Sequence, residues 1–276
     1  MNMMRQVVQV LRRTFWLVVC APLSLGGLVA QVSAAQPSDE AIVWDGTLRR
    51  IRVPILMYHY VGEIPFDADA VRRELSVTPA QFREHLSMMF YEGYTPISLY
   101  ALHNALMRGD PLPAKPVVLT FDDGYIDHYA TAFPALRELG FTATFFVPTA
   151  FMDEQRPGHL TWEQVREMSA AGMSMEPHTK THRELDGVTY EVLVYEVLGS
   201  IESLGYYTGM TPHMFSYPVG RYDDFTLRVF SEIAIWRAVT TDRGMLHTTD
   251  NRLEVSRMRV PGGASAATLR AILAGS

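Results

Sequence analysis

From Val53 onward, short apolar runs alternate with helix-patterned segments, and this alternation narrows the fold more than any other feature of the sequence. The runs Val53–Tyr58, Thr95–Ile97, Val117–Phe121, Ala143–Val147, Met173–Glu176, Met214–Tyr217, Ala238–Thr241 and Ser256–Val260 read as strands. Nearly continuous apolar strands separated by helices belong to a mainly parallel sheet buried on both faces. Eight such runs in about 240 residues fit one α/β domain, an irregular (β/α) barrel of seven or eight parallel strands spanning residues 53–276. Thr78-Pro79-Ala80-Gln81 and Thr161-Trp162-Glu163-Gln164 carry the Thr-x-x-Gln signature of a helix start, the first with proline at the opening helical position. Gly93, Gly140, Gly172 and Gly205 stand where a helix C-cap is wanted. Tyr190–Leu204 spaces Val192, Val194, Tyr195, Leu198 and Ile201 as a helix would, a stripe read as core-facing and nothing more.

The first 35 residues read differently. Arg5, Arg12 and Arg13 form a positive start, Thr14 to Ala30 is mostly apolar, and Val32-Ser33-Ala34-Ala35 offers the small residues of a cleavage site. The apolar run is short for a membrane span and is broken by Pro22, Gly26 and Gly27, so a cleavable signal peptide over 1–35 is expected, with no stable membrane span after cleavage. Arg12-Arg13-Thr14-Phe15-Trp16-Leu17 also resembles a twin-arginine export signal, although two adjacent arginines are commoner in an ordinary one. The lone cysteine, Cys20, lies inside this leader, which leaves an exported product with neither disulfide nor thiol catalysis. Residues 36–52 then form a short N-terminal extension. A periplasmic or secreted protein is the expectation.

The net charge is −6, and it becomes −9 once three leader arginines are gone. No basic tract stands outside the leader, which argues against nucleic acid as a partner. An acidic surface disfavours polyanionic ligands and tolerates neutral or cationic ones.

Barrels of this kind place their chemistry at the C-terminal ends of the strands, so the residues following each strand matter most. His59 follows the first run, Asp122-Asp123-Gly124 the third, His178 and His182 the fifth, and Pro218-Val219-Gly220 the sixth. If their segment is helical, His178 and His182 lie one turn apart on one face. Two imidazoles and one carboxylate would hold a transition metal and leave coordination positions open, the pattern of a catalytic site. Adjacent aspartates in extended chain point to opposite sides, so one is expected to bind the metal and the other to act as a base. An Asp-Asp-Gly turn that merely caps a helix is the plain alternative, and placement directly after a buried-looking strand weighs against it. A phosphotransferase would space its acids differently and carry a phosphate-cradling glycine loop, which is missing. His59 is the one further titratable group at a strand end that could serve as a general acid.

Thr120-Phe121-Asp122-Asp123-Gly124 followed by Pro177-His178-Thr179-Lys180-Thr181-His182 resembles the polysaccharide deacetylases of carbohydrate esterase family 4. Tyr125-Ile126-Asp127 and Ala143-Thr144-Phe145-Phe146-Val147 agree with that resemblance, which runs from about Pro54 to Pro261. Leu56-Met57-Tyr58-His59 and Gln81–Leu99 are similar to the subgroup acting on poly-β-1,6-N-acetylglucosamine in biofilms, where the general-acid histidine lies at the N-terminal end. The resemblance implies that Asp123, His178 and His182 bind a divalent metal, zinc first, with cobalt, nickel or iron also compatible. It implies Asp122 as general base, His59 as general acid, and the loop Pro218, Val219 and Gly220, with Tyr222 beside it, as the source of an oxyanion-binding backbone N–H. The family's third motif opens with an arginine that orients the base; here Ser216 stands there, and Arg257 or Arg259 could substitute, with Arg259 preferred. Tyr60 and Tyr222 are candidate platforms for a sugar ring.

The leading expectation is therefore an exported hydrolase that removes N-acetyl groups from an N-acetylglucosamine polymer, with that glycan and its export machinery as partners. A peptidoglycan or chitooligosaccharide deacetylase is the alternative within the class. A non-catalytic glycan-binding barrel is the alternative outside it. A zincin peptidase would need a glutamate where Thr179 stands.

Overall fold

The computed structural model describes residues 43–233 and 235–275. The expected signal peptide over 1–35, Cys20 included, lies outside these residues. In chain order the elements are β1 (Arg50–Arg52), β2 (Ile55–Tyr58), β3 (Tyr60–Val61), α1 (Ala70–Glu74), β4 (Ser76–Val77), α2 (Pro79–Tyr91), β5 (Thr95–Pro96) and α3 (Leu99–Arg108). There follow β6 (Pro116–Phe121), a π-turn (His128–Ala132), α4 (Phe133–Glu138), β7 (Thr144–Val147), α5 (Thr149–Asp153), α6 (Trp162–Ala170), β8 (Ser174–Pro177) and α7 (Tyr190–Thr208). The last are β9 (Met214–Ser216), a 3-10 turn (Pro218–Gly220), α8 (Asp224–Glu232), β10 (Arg237–Arg243), β11 (Leu246–Thr248), β12 (Val255–Arg259) and α9 (Ala266–Ala274).

Seven parallel strands run in the order β8-β7-β6-β2-β12-β10-β9. The first and last strands of this sheet in chain order, β2 and β12, thus pair with each other, and the free edges belong to β8 and β9. Every expected strand is present, but Thr95–Ile97 contributes only the two-residue β5, which pairs with the start of β6 beside the main path. Residues 50–52 of the N-terminal extension pair antiparallel with β11, so its end is stitched to the fold.

No backbone ladder joins β8 to β9 among the described residues. Side chains close the seam instead. Glu176 accepts the Met214 N–H at 3.0 Å, the Tyr100 hydroxyl at 3.0 Å and the Ser174 hydroxyl at 2.6 Å. One pleat higher, His178 Nδ1 donates to the Ser216 carbonyl at 2.7 Å. Burial pushes the Glu176 carboxyl up to about 7, although the hydrogen bonds from Ser174, Met214 and Tyr100 pull the other way.

The strands alternate between two cores, as a pleat requires. Ile55, Val118, Phe146, Met214, Val239 and Val255 pack together as one cluster. Leu56, Leu119, Phe145 and Met258 pack with helical residues such as Phe82, Leu86 and Val165 in another. Each such side chain taken fully out of water contributes roughly 1.5–3 kcal/mol. Thr78 and Thr161 form the expected capping boxes with Gln81 and Gln164. Gly205 is not a cap: α7 continues to Thr208 and ends at Gly209, whose φ of 73° supplies the left-handed stop. No helix among the described residues is long and apolar enough to cross a membrane.

Candidate active site

The rim at the C-terminal strand ends gathers the residues singled out by the sequence. Tyr58 pairs with Phe121 across β2 and β6, so His59 and Asp122 emerge side by side. Asp122 is buried and leads into Asp123, whose φ of 77° turns the chain the left-handed way. Gly124 follows at φ 64° with its Cα face against Val147, where an added Cβ would sit 3.2 Å from Cγ1.

Asp123 Oδ1 lies 3.3 Å from His178 Nε2 and 3.0 Å from His182 Nε2. One ligand atom from each of the three residues falls within 4.8 Å of the others. His178 donates its Nδ1 proton to the Ser216 carbonyl, which leaves Nε2 of the neutral ring as an acceptor facing a carboxylate oxygen. Two acceptors aimed at one point call for a cation between them, so the donor set fits a divalent metal. Burial opposes charge on Asp123, but the imidazoles of His178 and His182 beside it hold its carboxyl well below the usual range. Burial likewise works against protonating His182, and Asp123 outweighs it, so that imidazole is raised.

The two histidines are not on a helix. Residues 178–182 form a loop in which Thr179 and His182 adopt φ of 61° and 63°. The spacing of four brings the rings together because the chain curls left-handed twice. That loop is pinned by Glu196 of α7, whose Oε2 accepts the N–H groups of Lys180 at 2.9 Å and Thr181 at 2.8 Å and whose Oε1 accepts the Thr181 hydroxyl at 2.6 Å. The buried face of α7 is Leu193, Glu196, Val197, Ser200 and Leu204 rather than the expected stripe, whose Tyr195 is exposed, so the helix turns Glu196 inward for a task that apolar spacing does not reveal. Among the described residues, four of the five non-glycine residues with positive φ, namely Asp123, Thr179, His182 and Val219, belong to these rim loops. Such strain persists only where surrounding contacts fix it.

The partner of Asp122 is Arg257, not Arg259. Arg257 Nη1 meets Oδ1 at 2.8 Å and Nη2 meets Oδ2 at 2.6 Å. The same guanidinium donates to Thr120 Oγ1 and Ser216 Oγ, both at 3.1 Å, and through Nε to the Thr240 carbonyl at 2.9 Å. An arginine is long enough to reach the rim from one pleat below, where its guanidinium is buried; Arg259, nearest the strand end, is exposed instead. Burial alone would raise the Asp122 carboxyl, and the Arg257 charge more than offsets this and holds it below its ordinary value.

Burial lowers the His59 imidazole, while Asp123 and Asp122 favour its protonated form. Its carbonyl accepts His128 Nε2 at 2.6 Å, and His128, fully buried in the π-turn, is a support that no sequence motif announced. The 3-10 turn at Pro218–Gly220 holds Val219 at φ 57° and 58 % exposed, and its N–H has no partner among the described residues. Neither expected sugar platform sits as anticipated. Tyr60 has Arg72 over one face at 3.1 Å and Tyr125 stacked at 3.6 Å, so its ring is sandwiched. Tyr222 stacks on Tyr217 at 4.4 Å and donates to Glu254 at 3.0 Å, so one face of its ring and its hydroxyl are already engaged.

A parallel barrel with a two-histidine, one-aspartate cluster at its rim and a buried second aspartate defines a hydrolase class, and comparison with known proteins gives the family. The polysaccharide deacetylase family model matches residues 109–238. YxkH of Bacillus subtilis, whose own name assigns it provisionally to the polysaccharide deacetylases, is 30% identical over 242 residues, covering 88% of this chain and 83% of that protein. The structure of the Streptococcus pyogenes deacetylase PplD in complex with acetate superposes with a TM-score of 0.75 at 30% identity, over 82% of this chain and 99% of that one. The poly-β-1,6-N-acetyl-D-glucosamine N-deacetylase of Escherichia coli is 35% identical over 127 residues, which is 41% of this chain and 19% of that much longer protein. The chain belongs to the polysaccharide deacetylase family, whose members hydrolyse N-acetyl amide bonds.

Proposed function

We propose that this protein is an exported, metal-dependent N-deacetylase that releases acetate from an N-acetylglucosamine polymer, with poly-β-1,6-N-acetylglucosamine as the first choice. The observation that carries the reading is the meeting of Asp123 with both histidines beside the buried Asp122–Arg257 pair. The likeness to the E. coli enzyme supports the polymer. The arginines, apolar run and small residues of positions 1–35 support export to the periplasm or beyond, with polysaccharide export machinery as a partner.

Asp123, His178 and His182 would hold the divalent cation, zinc first. Once bound there, such an ion lowers the pKa of water and polarises an acetamide carbonyl. The chain's own residues do the rest. Asp122, kept ionised by Arg257, takes the proton of the attacking water. The Val219 N–H donates to the carbonyl oxygen as negative charge gathers on it. The proton that Asp122 takes passes to the departing nitrogen through His59; burial lowers that imidazole so that it gives the proton up, and Asp123 and Asp122 favour its protonated form while it carries it. Losing either the acid or the base costs roughly 10²–10⁴ in rate.

Acetate release from N-acetylglucosamine oligomers by the wild type, and its loss in Asp122→Asn, is the expected result. No acetate with zinc, cobalt, nickel or iron(II) supplied would overturn the reading and leave a glycan-binding barrel.

A further inference from the structure

Arg259 has no task in the site described above. It is exposed, and its side chain has no hydrogen bond or ion pair among the described residues. It lines a cavity of about 360 Å³ together with Thr241, Arg243, Arg257, Thr268 and the apolar Met258. Three arginines contribute to its lining and no carboxylate does, on a chain whose net charge is −6.

Two residues of its lining also contact the catalytic rim. Arg257 faces it and pairs with Asp122. Thr241 also faces it, and its hydroxyl reaches the Val219 carbonyl at 3.4 Å. Thr241 packs so closely on Gly220 that a Cβ there would come within 2.2 Å of its oxygen. The positive charge of Arg259 is felt at His59 as well. Because Arg257 is committed to Asp122, Thr120, Ser216 and Thr240, the charge offered to a ligand comes from Arg259.

We propose that this cavity is a subsite for an anionic substituent, a carboxylate or a phosphate, carried by the glycan next to the acetamide that is cut. The inference rests on the deacetylase reading and narrows its substrate class. A planar fork of N–H donors suits either oxyanion, and a partly open pocket without competing acids strengthens the attraction. The acidic surface elsewhere repels a continuous polyanion, so the local cavity selects a glycan with spaced negative groups.

Three N-acetylglucosamine tetramers serve as probes: neutral, O-succinylated and O-phosphorylated. The wild type is expected to show kcat/KM about tenfold higher on an anionic tetramer than on the neutral one, and Arg259→Gln to bring that ratio close to one. A preference for only one of the two anionic tetramers supports the subsite and tells carboxylate from phosphate. Equal kcat/KM on all three, or a ratio unmoved by Arg259→Gln, overturns the subsite and leaves the deacetylase reading standing. If no tetramer yields acetate, that reading fails on its own, and calorimetric binding of the same tetramers to the full chain decides the subsite. Tighter binding of an anionic tetramer that is lost in Arg259→Gln then sustains it, and equal binding overturns it.

Discussion

The Asp122 carboxylate and the Arg257 guanidinium form a two-point ion pair with side chains 3 % and 0 % exposed. Cutting such a pair leaves a buried charge uncompensated, which costs about 3–5 kcal/mol. Arg257→Met is therefore expected to lower the melting temperature sharply, and the double variant Arg257→Met with Asp122→Asn to recover part of the loss. Thermal unfolding of the two variants checks this. Arg257→Lys keeps the charge but loses the fork. Burial then raises the Asp122 carboxyl with less opposition, so the acid limb of the kcat/KM profile moves to higher pH.

Glu196 fixes the loop that carries both histidines without touching the ligand cluster itself. Removing a support of this kind typically weakens metal binding roughly 10–100-fold. Glu196→Ala is expected to fall in that range by chelator competition, while Glu196→Gln, which keeps one oxygen for the two N–H groups, stays closer to wild type.

Glu176 makes stability depend on pH. Its carboxyl is raised from 4.5 to about 7 in the fold, so folding favours the protonated form. Its contribution is full below pH 4.5 and is lost as the pH rises through about 7. The difference amounts to at most about 3 kcal/mol. Denaturant titrations at several pH values are expected to show this slope in the wild type and a flatter one in Glu176→Gln.

Val219 and Gly220 predict opposite outcomes in one turn. Val219 holds a left-handed conformation that is costly for a β-branched residue, and only its backbone N–H is assigned a role. Val219→Gly is expected to stabilise the protein by about 1 kcal/mol and to retain acetate release within a few-fold. Gly220→Ala would drive a Cβ into Thr241 at a φ of 72° and is expected to destabilise the turn and lower the rate.

The strands and the rim residues were legible in the sequence because their signals are local. Val117–Phe121 is an apolar run that ends on two aspartates, and Thr78 and Thr161 carry their capping partners three residues on. What escaped depends on reach across the fold. Arg257 and Arg259 are two residues apart on one strand, and only their depth along it decides which one meets Asp122. The curl at His178–His182 was hidden because neither left-handed residue is a glycine. Glu196 and His128 support the site from α7 and the π-turn, and neither lies in a motif that names its target.

The joint between β8 and β9 has a consequence for how this enzyme can adapt. On one side of it stands the strand that delivers His178, and on the other the strand that feeds the Val219 turn. Because Glu176 and His178 clasp the joint in place of a ladder, the gap across the catalytic mouth is set by side-chain length. Because His178 is reserved for the ligand cluster, Glu176 is the half of the clasp where a substitution is expected to change the opening while the other strands keep their register.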